Sequence, residues 1–257
     1  MSHFVIILAA GKGSRLNNGK IPKQFLELSN LPVVMHSVIA FNKADPQAKI
    51  YVALPTKYIQ AWTEICKKYD FSIKHEIYAG GERRLDTVFI GLKKIYQLSS
   101  FPKQDLVSIH DSARPFIKPE FVLELINCAK KSGSAVPVIK LKNSLRNIGT
   151  GQPYSSCGQD RDDYVITQTP QVFSLDGIVE SYRQVLFSKS EDYNHLVSPC
   201  IDQPKKIFDD GLKDILVTSD YFLGKYITKN LTDISSNEVF LKSGSEIIRS
   251  TSLFTLT

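Results

Sequence analysis

The 257-residue sequence predicts an α/β fold built around a mainly parallel, doubly wound sheet. Short apolar runs rich in β-branched residues recur along the chain, and such runs are typical of buried strands. Segments with apolar residues at helical spacing lie between those runs. This alternation favours βαβ units, and sheets of this kind bind ligands at the carboxyl ends of their strands.

Four runs have the composition of strands, and four segments have the spacing of helices. The predicted strands cover residues 4–10, 49–55, 105–111 and 134–140. The predicted helices cover residues 35–44, 57–70, 86–98 and 119–133. The last helix begins at a proline and ends at Gly133, which are ordinary start and stop signals.

The alternation is interrupted at residues 141–163, a polar stretch rich in Gly, Ser and Asn. Such a stretch fits a projecting β-arm better than a core element. A short strand and a turn follow at 164–173, and then a helix at 174–189. We therefore predict one domain over residues 1–227, followed by a C-terminal extension, 228–257, to which we assign no role.

Composition and charge exclude several classes of function. No apolar stretch reaches the ~18 residues of a membrane span, and the N-terminus lacks a signal-peptide pattern. The four cysteines form no CxxC pair, which argues against a zinc knuckle and predicts a cytoplasmic protein with reduced thiols. The net charge of +6 is spread without a long basic run. Nucleic-acid binding is therefore a distant alternative to a site for phosphorylated small molecules.

The first candidate motif is LAAGKGSR, at residues 8–15, directly after the first strand. It completes neither the dinucleotide fingerprint nor the ATPase phosphate loop. Backbone N–H groups around Gly11 and Gly13 can bind polyphosphate oxygens, and Arg15 stands behind them. The alternative is a tight structural turn.

Two further segments carry the same kind of signal. Pro22 stiffens the backbone ahead of Lys23, so that the ammonium group would emerge from a rigid loop, although a plain surface loop is the alternative. Gly80 and Gly81 permit close backbone approach, and Thr87 would face them from the first helical turn. For this pair the alternative is a simple helix N-terminus.

The stretch SIHDSARPFI, at residues 108–117, is the sharpest single signal. An acidic residue at the end of a buried strand is costly unless it binds something, and Mg²⁺ held partly by phosphate oxygens is the usual partner of such a group. Asp111 is that residue, and Arg114 forms a cationic turn beside it. The alternatives for Asp111 are a helix cap or an ion-pair partner, and His110 is interpreted as a packing or hydrogen-bonding histidine.

No Ser-His-Asp or Cys-His set stands in a recognisable context, so the sequence does not support covalent catalysis. Taken in order, LAAGKGSRL, PKQF, GGERRLDTV, HDSARPF, the Asp-Arg pair at 160–161 and TPQVF resemble the sugar-phosphate cytidylyltransferases. More narrowly, they resemble the 2-C-methyl-D-erythritol 4-phosphate cytidylyltransferase family across about residues 4–227.

The resemblance implies a Rossmann-like nucleotidyltransferase fold, CTP and Mg²⁺ as reactant and cofactor, and a homodimer in which each arm covers the partner's site. It also implies roles for individual positions. The residues implied at the cytosine are Ala9, Ala10, Gly80, Gly81 and Thr87. Those implied at the triphosphate and its metal are Gly11, Gly13, Arg15, Lys23 and Asp111, with Arg15 and Lys23 as the catalytic pair. Those implied around the sugar phosphate are Arg114, Ser144, Thr169 and, from the other subunit, Arg161.

One departure from the family's pattern concerns the acceptor. The family has a phosphate-binding lysine near its C-terminal end, where this sequence has Leu216, and Lys213 is a nearby candidate for the missing charge. The expected acceptor is 2-C-methyl-D-erythritol 4-phosphate, and ribitol 5-phosphate or another polyol phosphate is the alternative. A nucleotide-binding homologue without catalysis is a further alternative.

Overall fold

The computed structural model describes residues 1–11, 22–98, 105–147 and 157–187. Within these ranges the α-helices are α1 (Val33–Ala44), α2 (Ile59–Lys68), α3 (Arg84–Leu98), α4 (Pro119–Ser132) and α5 (Leu175–Phe187). Short 3-10 turns occupy Lys23–Phe25, Thr56–Tyr58 and Arg161–Asp163.

Twelve short strands are present in the described ranges. Those of the first half are β1 (His3–Leu8), β2 (Glu27–Leu28), β3 (Leu31–Pro32), β4 (Lys49–Leu54), β5 (Glu76–Ala79) and β6 (Leu106–Asp111). Those of the second half are β7 (Ser134–Ala135), β8 (Val138–Lys140), β9 (Leu145–Asn147), β10 (Cys157–Gln159), β11 (Val165–Thr167) and β12 (Gln171–Ser174).

Six of the strands form the central sheet, in the order β5-β4-β1-β6-β12-β7. The first four are parallel to one another, with β1 between β4 and β6. β12 runs antiparallel to β6, and β7 runs antiparallel to β12. The mainly parallel α/β sheet predicted from the sequence is therefore confirmed.

Successive side chains of each strand point to opposite faces of the sheet. Helices cover both faces, so both are buried. Val5 and Ile7 of β1 pack in a core with residues of α1, α2 and α4, whereas Phe4 and Ile6 pack with residues of α3 and α5. The helices thus form one layer on each side of the sheet. This arrangement leaves the two ends of the strands free for loops, and the carboxyl ends carry the site described below.

The second half of the sheet differs in detail from the prediction. The segment predicted as one strand at 134–140 is two strands, because β7 joins the central sheet and β8 pairs instead with β11. Pro137 lies between them and has no N–H to continue a ladder. The prediction also missed β5. The segment at 164–173, predicted as one short strand and a turn, contains the strand β11, a turn with a cis Thr169–Pro170 bond, and most of a second strand, β12.

An antiparallel hairpin lies inside the stretch predicted to be an arm. β9 pairs with β10, and the residues between these two strands lie outside the described ranges. Residues 188–227 of the predicted domain and the predicted extension at 228–257 also lie outside them.

A Ser-His-Asp arrangement that the sequence does not reveal joins β1, β6 and the end of α1. His3 Nδ1 lies 3.0 Å from Asp45 Oδ2, and His3 Nε2 lies 2.8 Å from Ser108 Oγ. Ser108 is fully buried, so no substrate can reach its hydroxyl. The arrangement is therefore a structural tie and not a catalytic triad.

Replacing Asp45 with asparagine is expected to destabilise the protein by about 1 kcal/mol at neutral pH. The hydrogen bond from His3 holds the pKa of the Asp45 carboxyl below its usual value. A carboxylate with a lowered native pKa stabilises the fold above its unfolded pKa, and this stabilisation is lost as the pH falls through the folded value. Urea unfolding at several pH values should show the wild-type advantage shrinking in acid. Asp70→Asn, at an exposed aspartate, is the control.

Candidate active site

The predicted glycine and acidic segments meet at the carboxyl ends of the central strands. The backbone ladder extends past the strands themselves, since Ala9 donates to the Ala53 carbonyl at 3.0 Å and Gly80 donates to the Leu54 carbonyl at 2.9 Å. On the other side of β1, Ser112 donates to the Leu8 carbonyl at 3.1 Å. Segments far apart in sequence are thereby held side by side at one edge of the sheet.

The two glycine segments touch each other. A Cβ added at Gly80 would lie 2.2 Å from the Cβ of Ala10, and one added at Gly81 would lie 2.5 Å from the Cβ of Asp86. Neither position can hold a larger residue without moving the backbone. Gly80 is therefore needed for the close approach of the loop after β5 to the loop after β1.

Thr87 shapes the loop that contains this glycine pair. Its hydroxyl accepts a hydrogen bond from the Gly81 N–H at 3.1 Å and donates one to the Arg83 carbonyl at 3.0 Å. The side chain is almost fully buried. The structure thus shows Thr87 as a group that holds the loop, and its implied contact with cytosine stays a prediction.

Lys23 stands on a turn that is anchored by the two residues that follow it. Gln24 and Phe25 are buried, and Phe25 packs against the rings of Tyr58 and Trp62, while Lys23 itself is exposed. The amide of Gln24 donates to the carbonyl of Gly11 at 3.4 Å. The lysine turn is therefore fastened to the first glycine segment. Gly13 and Arg15 lie outside the described ranges.

Asp111 lies at the end of β6 between two arginines. Arg84 Nε donates to Asp111 Oδ1 at 3.0 Å, and Arg114 Nε is 3.9 Å from Asp111 Oδ2. The ion-pair alternative for Asp111 is thus present in the structure. Sequence reasoning did not single out Arg84, although the double arginine of GGERR was a signal that could have found it.

His110 is a fully buried hydrogen-bonding histidine, which confirms its interpretation. Burial, as the main cause, lowers the pKa of His110 to about 4, so the ring is neutral at physiological pH. Nε2 lies 3.1 Å from the Arg114 carbonyl, which only accepts, so Nε2 carries the hydrogen. Nδ1 must then accept from the Thr169 hydroxyl at 3.2 Å, and that hydroxyl accepts in turn from the Asp111 N–H at 3.2 Å.

This chain of hydrogen bonds holds Thr169 beside Asp111. The hydrogen of the Thr169 hydroxyl is directed at His110, so towards a ligand this oxygen can only accept a hydrogen bond. Arg114 is held in the same region, because its Nη1 donates to Gln168 Oε1. Asp111, Arg114 and Thr169, three of the residues singled out from the sequence, are therefore neighbours.

The donor set suits a metal ion that is bound mainly by its substrate. No group of three or more His, Cys, Asp or Glu side chains gathers anywhere in the described ranges. Mg²⁺ in phosphate-transfer sites needs only one or two carboxylates besides phosphate oxygens and waters. Asp111 is about one-third exposed, and among the described residues its Oδ2 accepts no hydrogen bond. These residues therefore fit Mg²⁺ held largely by the phosphates of a nucleotide.

Ser144 and Arg161 lie in the arm and not at the strand ends. Ser144 is exposed, and Arg161 Nη1 donates to the Lys142 carbonyl at 3.1 Å. Leu216 and Lys213 lie outside the described ranges. Among the helices of those ranges, none has the length and apolar character needed to cross a membrane.

The fold and the site together define a nucleotidyltransferase: two glycine segments, an anchored lysine and one carboxylate line the carboxyl edge of an α/β sheet. The sequence model of 2-C-methyl-D-erythritol 4-phosphate cytidylyltransferase matches residues 3–219, and the chain belongs to this family of enzymes.

Curated relatives bear the same name. The enzyme of Porphyromonas gingivalis is 37% identical over 182 residues, which are 70% of this chain and 76% of that protein. The enzyme of Prosthecochloris aestuarii is 32% identical over 241 residues, which are 90% of this chain and 98% of that protein. The similarity thus extends over nearly the whole length of the second relative.

Solved structures show the same fold. The 4-diphosphocytidyl-2C-methyl-D-erythritol synthase of Anaerococcus prevotii aligns with a TM-score of 0.58 at 22% identity, over 80% of this chain and 81% of that chain. The 2-C-methyl-D-erythritol 4-phosphate cytidylyltransferase of Thermus thermophilus aligns with a TM-score of 0.52 at 27% identity, over 71% and 75% of the two chains. The Rossmann-like fold implied by the sequence resemblance is therefore confirmed.

Proposed function

We propose that this protein transfers the cytidylyl group of CTP to 2-C-methyl-D-erythritol 4-phosphate and releases pyrophosphate. The observation that carries this proposal is the meeting, at one sheet edge, of the Gly80 loop, the Ala10–Gly11 loop and Asp111. Family membership identifies the chemistry, which supplies a precursor for isoprenoid synthesis.

The reaction needs no nucleophile from the protein. A phosphate oxygen of the acceptor attacks the α-phosphorus of CTP, a new P–O bond forms, and the bond to the β-phosphate oxygen breaks as pyrophosphate leaves. Such a transfer is catalysed by positioning and by neutralising charge. The hydrogen bond between the Lys23 turn and Gly11 supports this task for Lys23, and Arg15 would act from the same loop.

The base of CTP would lie against the two glycine segments. Backbone groups of Ala9, Ala10, Gly80 and Gly81 are the donors and acceptors available there. Because Thr87 and the Ala10–Gly80 contact hold these segments, their spacing exists before the ligand binds. Preformed spacing of this kind lowers the entropic cost of binding.

The residues fit Mg²⁺, and Asp111 would hold it together with phosphate oxygens. When bound, the ion would neutralise charge on those oxygens. Arg114 would bind a phosphate, and Thr169 would accept a hydrogen bond from a hydroxyl of the acceptor.

The segment that follows the arm, at the start of β11, provides support for a homodimer. Three consecutive apolar side chains, Tyr164, Val165 and Ile166, are 40%, 51% and 47% exposed. A run of this kind is costly in water and suits contact with a second copy of the chain. In such a dimer Arg161, a few residues earlier, would reach the partner's site.

Pyrophosphate release from a panel of acceptors tests the proposal. With CTP and Mg²⁺ we expect release with 2-C-methyl-D-erythritol 4-phosphate and little with ribitol 5-phosphate, with ATP and UTP as nucleotide controls. Faster release with ribitol 5-phosphate would identify the polyol enzyme instead. CTP binding by calorimetry without release from any acceptor would identify the non-catalytic homologue.

A further inference from the structure

Two adjacent arginines after the glycine pair have different partners. Arg83 pairs within its own helical turn, since Nε lies 3.1 Å from Asp86 Oδ2 and Nη2 lies 3.1 Å from Asp86 Oδ1. Arg84, the first residue of α3, instead reaches Asp111 at the end of β6, which is 27 residues away in sequence. Only the second arginine joins the glycine loop to the acidic residue.

The contact of Arg84 with Asp111 is one-sided. Nε of Arg84 lies 3.0 Å from Oδ1, while Nη1 is buried without a hydrogen-bond partner among the described residues. Arg114 Nε lies 3.9 Å from Oδ2, which is beyond hydrogen-bond distance. Among the described residues, Oδ1 thus accepts a hydrogen bond and Oδ2 accepts none.

We propose that Arg84 is a positioning residue that holds Oδ1 of Asp111 and so keeps Oδ2 available to the magnesium ion of CTP. This inference rests on the proposed function. A carboxylate that turns freely loses entropy when it binds a metal, whereas one that is already held by a second residue loses less. Loss of such outer partners typically weakens metal binding by about 10–100-fold.

The position of Arg84 gives the contact a second consequence. Gly80 and Gly81, which would contact the cytosine, precede α3, and Arg84 begins it. The side chain of Arg84 therefore joins this loop to the Asp111 carboxylate, which would bind the metal. Arg84 should therefore affect how strongly metal improves nucleotide binding, and not how strongly the nucleotide binds without metal.

Calorimetry with α,β-methylene CTP, which cannot be cleaved at the reacting bond, tests the inference in Mg²⁺ and in EDTA. The dissociation constant in EDTA divided by the one in Mg²⁺ measures how much the metal improves nucleotide binding. Arg84→Gln should lower this ratio about tenfold and leave the constant in EDTA unchanged, and Arg84→Lys should recover part of the ratio. Arg83→Gln, which removes the same charge one residue earlier, should leave the ratio unchanged.

Two results would overturn the inference. One is a wild-type ratio in Arg84→Gln. The other is weaker binding in EDTA with an unchanged ratio, which would mean that Arg84 contacts the phosphates directly. Because no acceptor is present, the measurement is decisive for Arg84 even if no acceptor in the panel releases pyrophosphate, a result that would overturn the proposed function alone.

Discussion

Replacing Lys23 with alanine is expected to lower the rate of pyrophosphate release by about 10²–10³-fold. The backbone that carries this ammonium group is anchored, because buried Gln24 and Phe25 follow Lys23 and the Gln24 amide donates to the Gly11 carbonyl. A fixed charge stabilises the five-coordinate phosphorus more than it stabilises bound CTP, since negative charge builds up during transfer. The loss should therefore fall on kcat, and the KM for CTP should change much less.

Steady-state kinetics with saturating acceptor and Mg²⁺ provides the measurement. Lys74→Ala is the matched control, because Lys74 is an exposed lysine just before β5. It therefore lies near the amino ends of the parallel strands, whereas the candidate site lies at their carboxyl ends. Lys23→Arg should retain more activity than Lys23→Ala, since it keeps the charge but not its position. Near wild-type turnover in Lys23→Ala would show that this lysine is not part of the catalytic machinery.

The parts of the fold that follow from local pattern were predictable from the sequence. The apolar runs that became β1, β4 and β6 are buried on both faces, so their composition alone indicates strands in a parallel sheet. By contrast, β7 and β8 form one apolar run in the sequence. Their assignment to different sheets depends on pairing with β12 and β11, which are at least 25 residues away. Such long-range pairing leaves no periodic signal in a short segment.

In the candidate site, too, the residues with a local signal were predictable and those that depend on long-range contacts were not. Gly80 and Asp111 could be singled out because each is an unusual residue type at the end of a strand or just beyond it. Arg84 could not be ranked above Arg83, because both are arginines in one polar turn and only the fold decides which one reaches β6. The tie between His3 and Ser108 was hidden for a similar reason, since 105 residues separate its members.

Replacing Gly80 with alanine is expected to lower kcat/KM for CTP by about 10²-fold. The new Cβ would lie 2.2 Å from the Cβ of Ala10. Both atoms are fixed to backbone, so no side-chain rotation relieves the overlap, and the two loops must separate by about 1 Å or more to reach van der Waals contact. A displacement of that size at a reacting site can cost about two orders of magnitude in rate.

Ala10→Gly supplies a matched test of this steric argument. The double variant Ala10→Gly/Gly80→Ala removes the atom that is met at 2.2 Å, and the next two atoms are side-chain atoms of Thr87, at 3.2 Å and 3.3 Å from the new Cβ. These are tight contacts with a side chain that can shift by tenths of an ångström, so the double variant should recover most of the lost kcat/KM. Gly158→Ala, where an added Cβ meets nothing within 4 Å, is the control for a glycine change as such. If the double variant stays as impaired as Gly80→Ala, the contact between the two glycine segments is not what the site requires of Gly80.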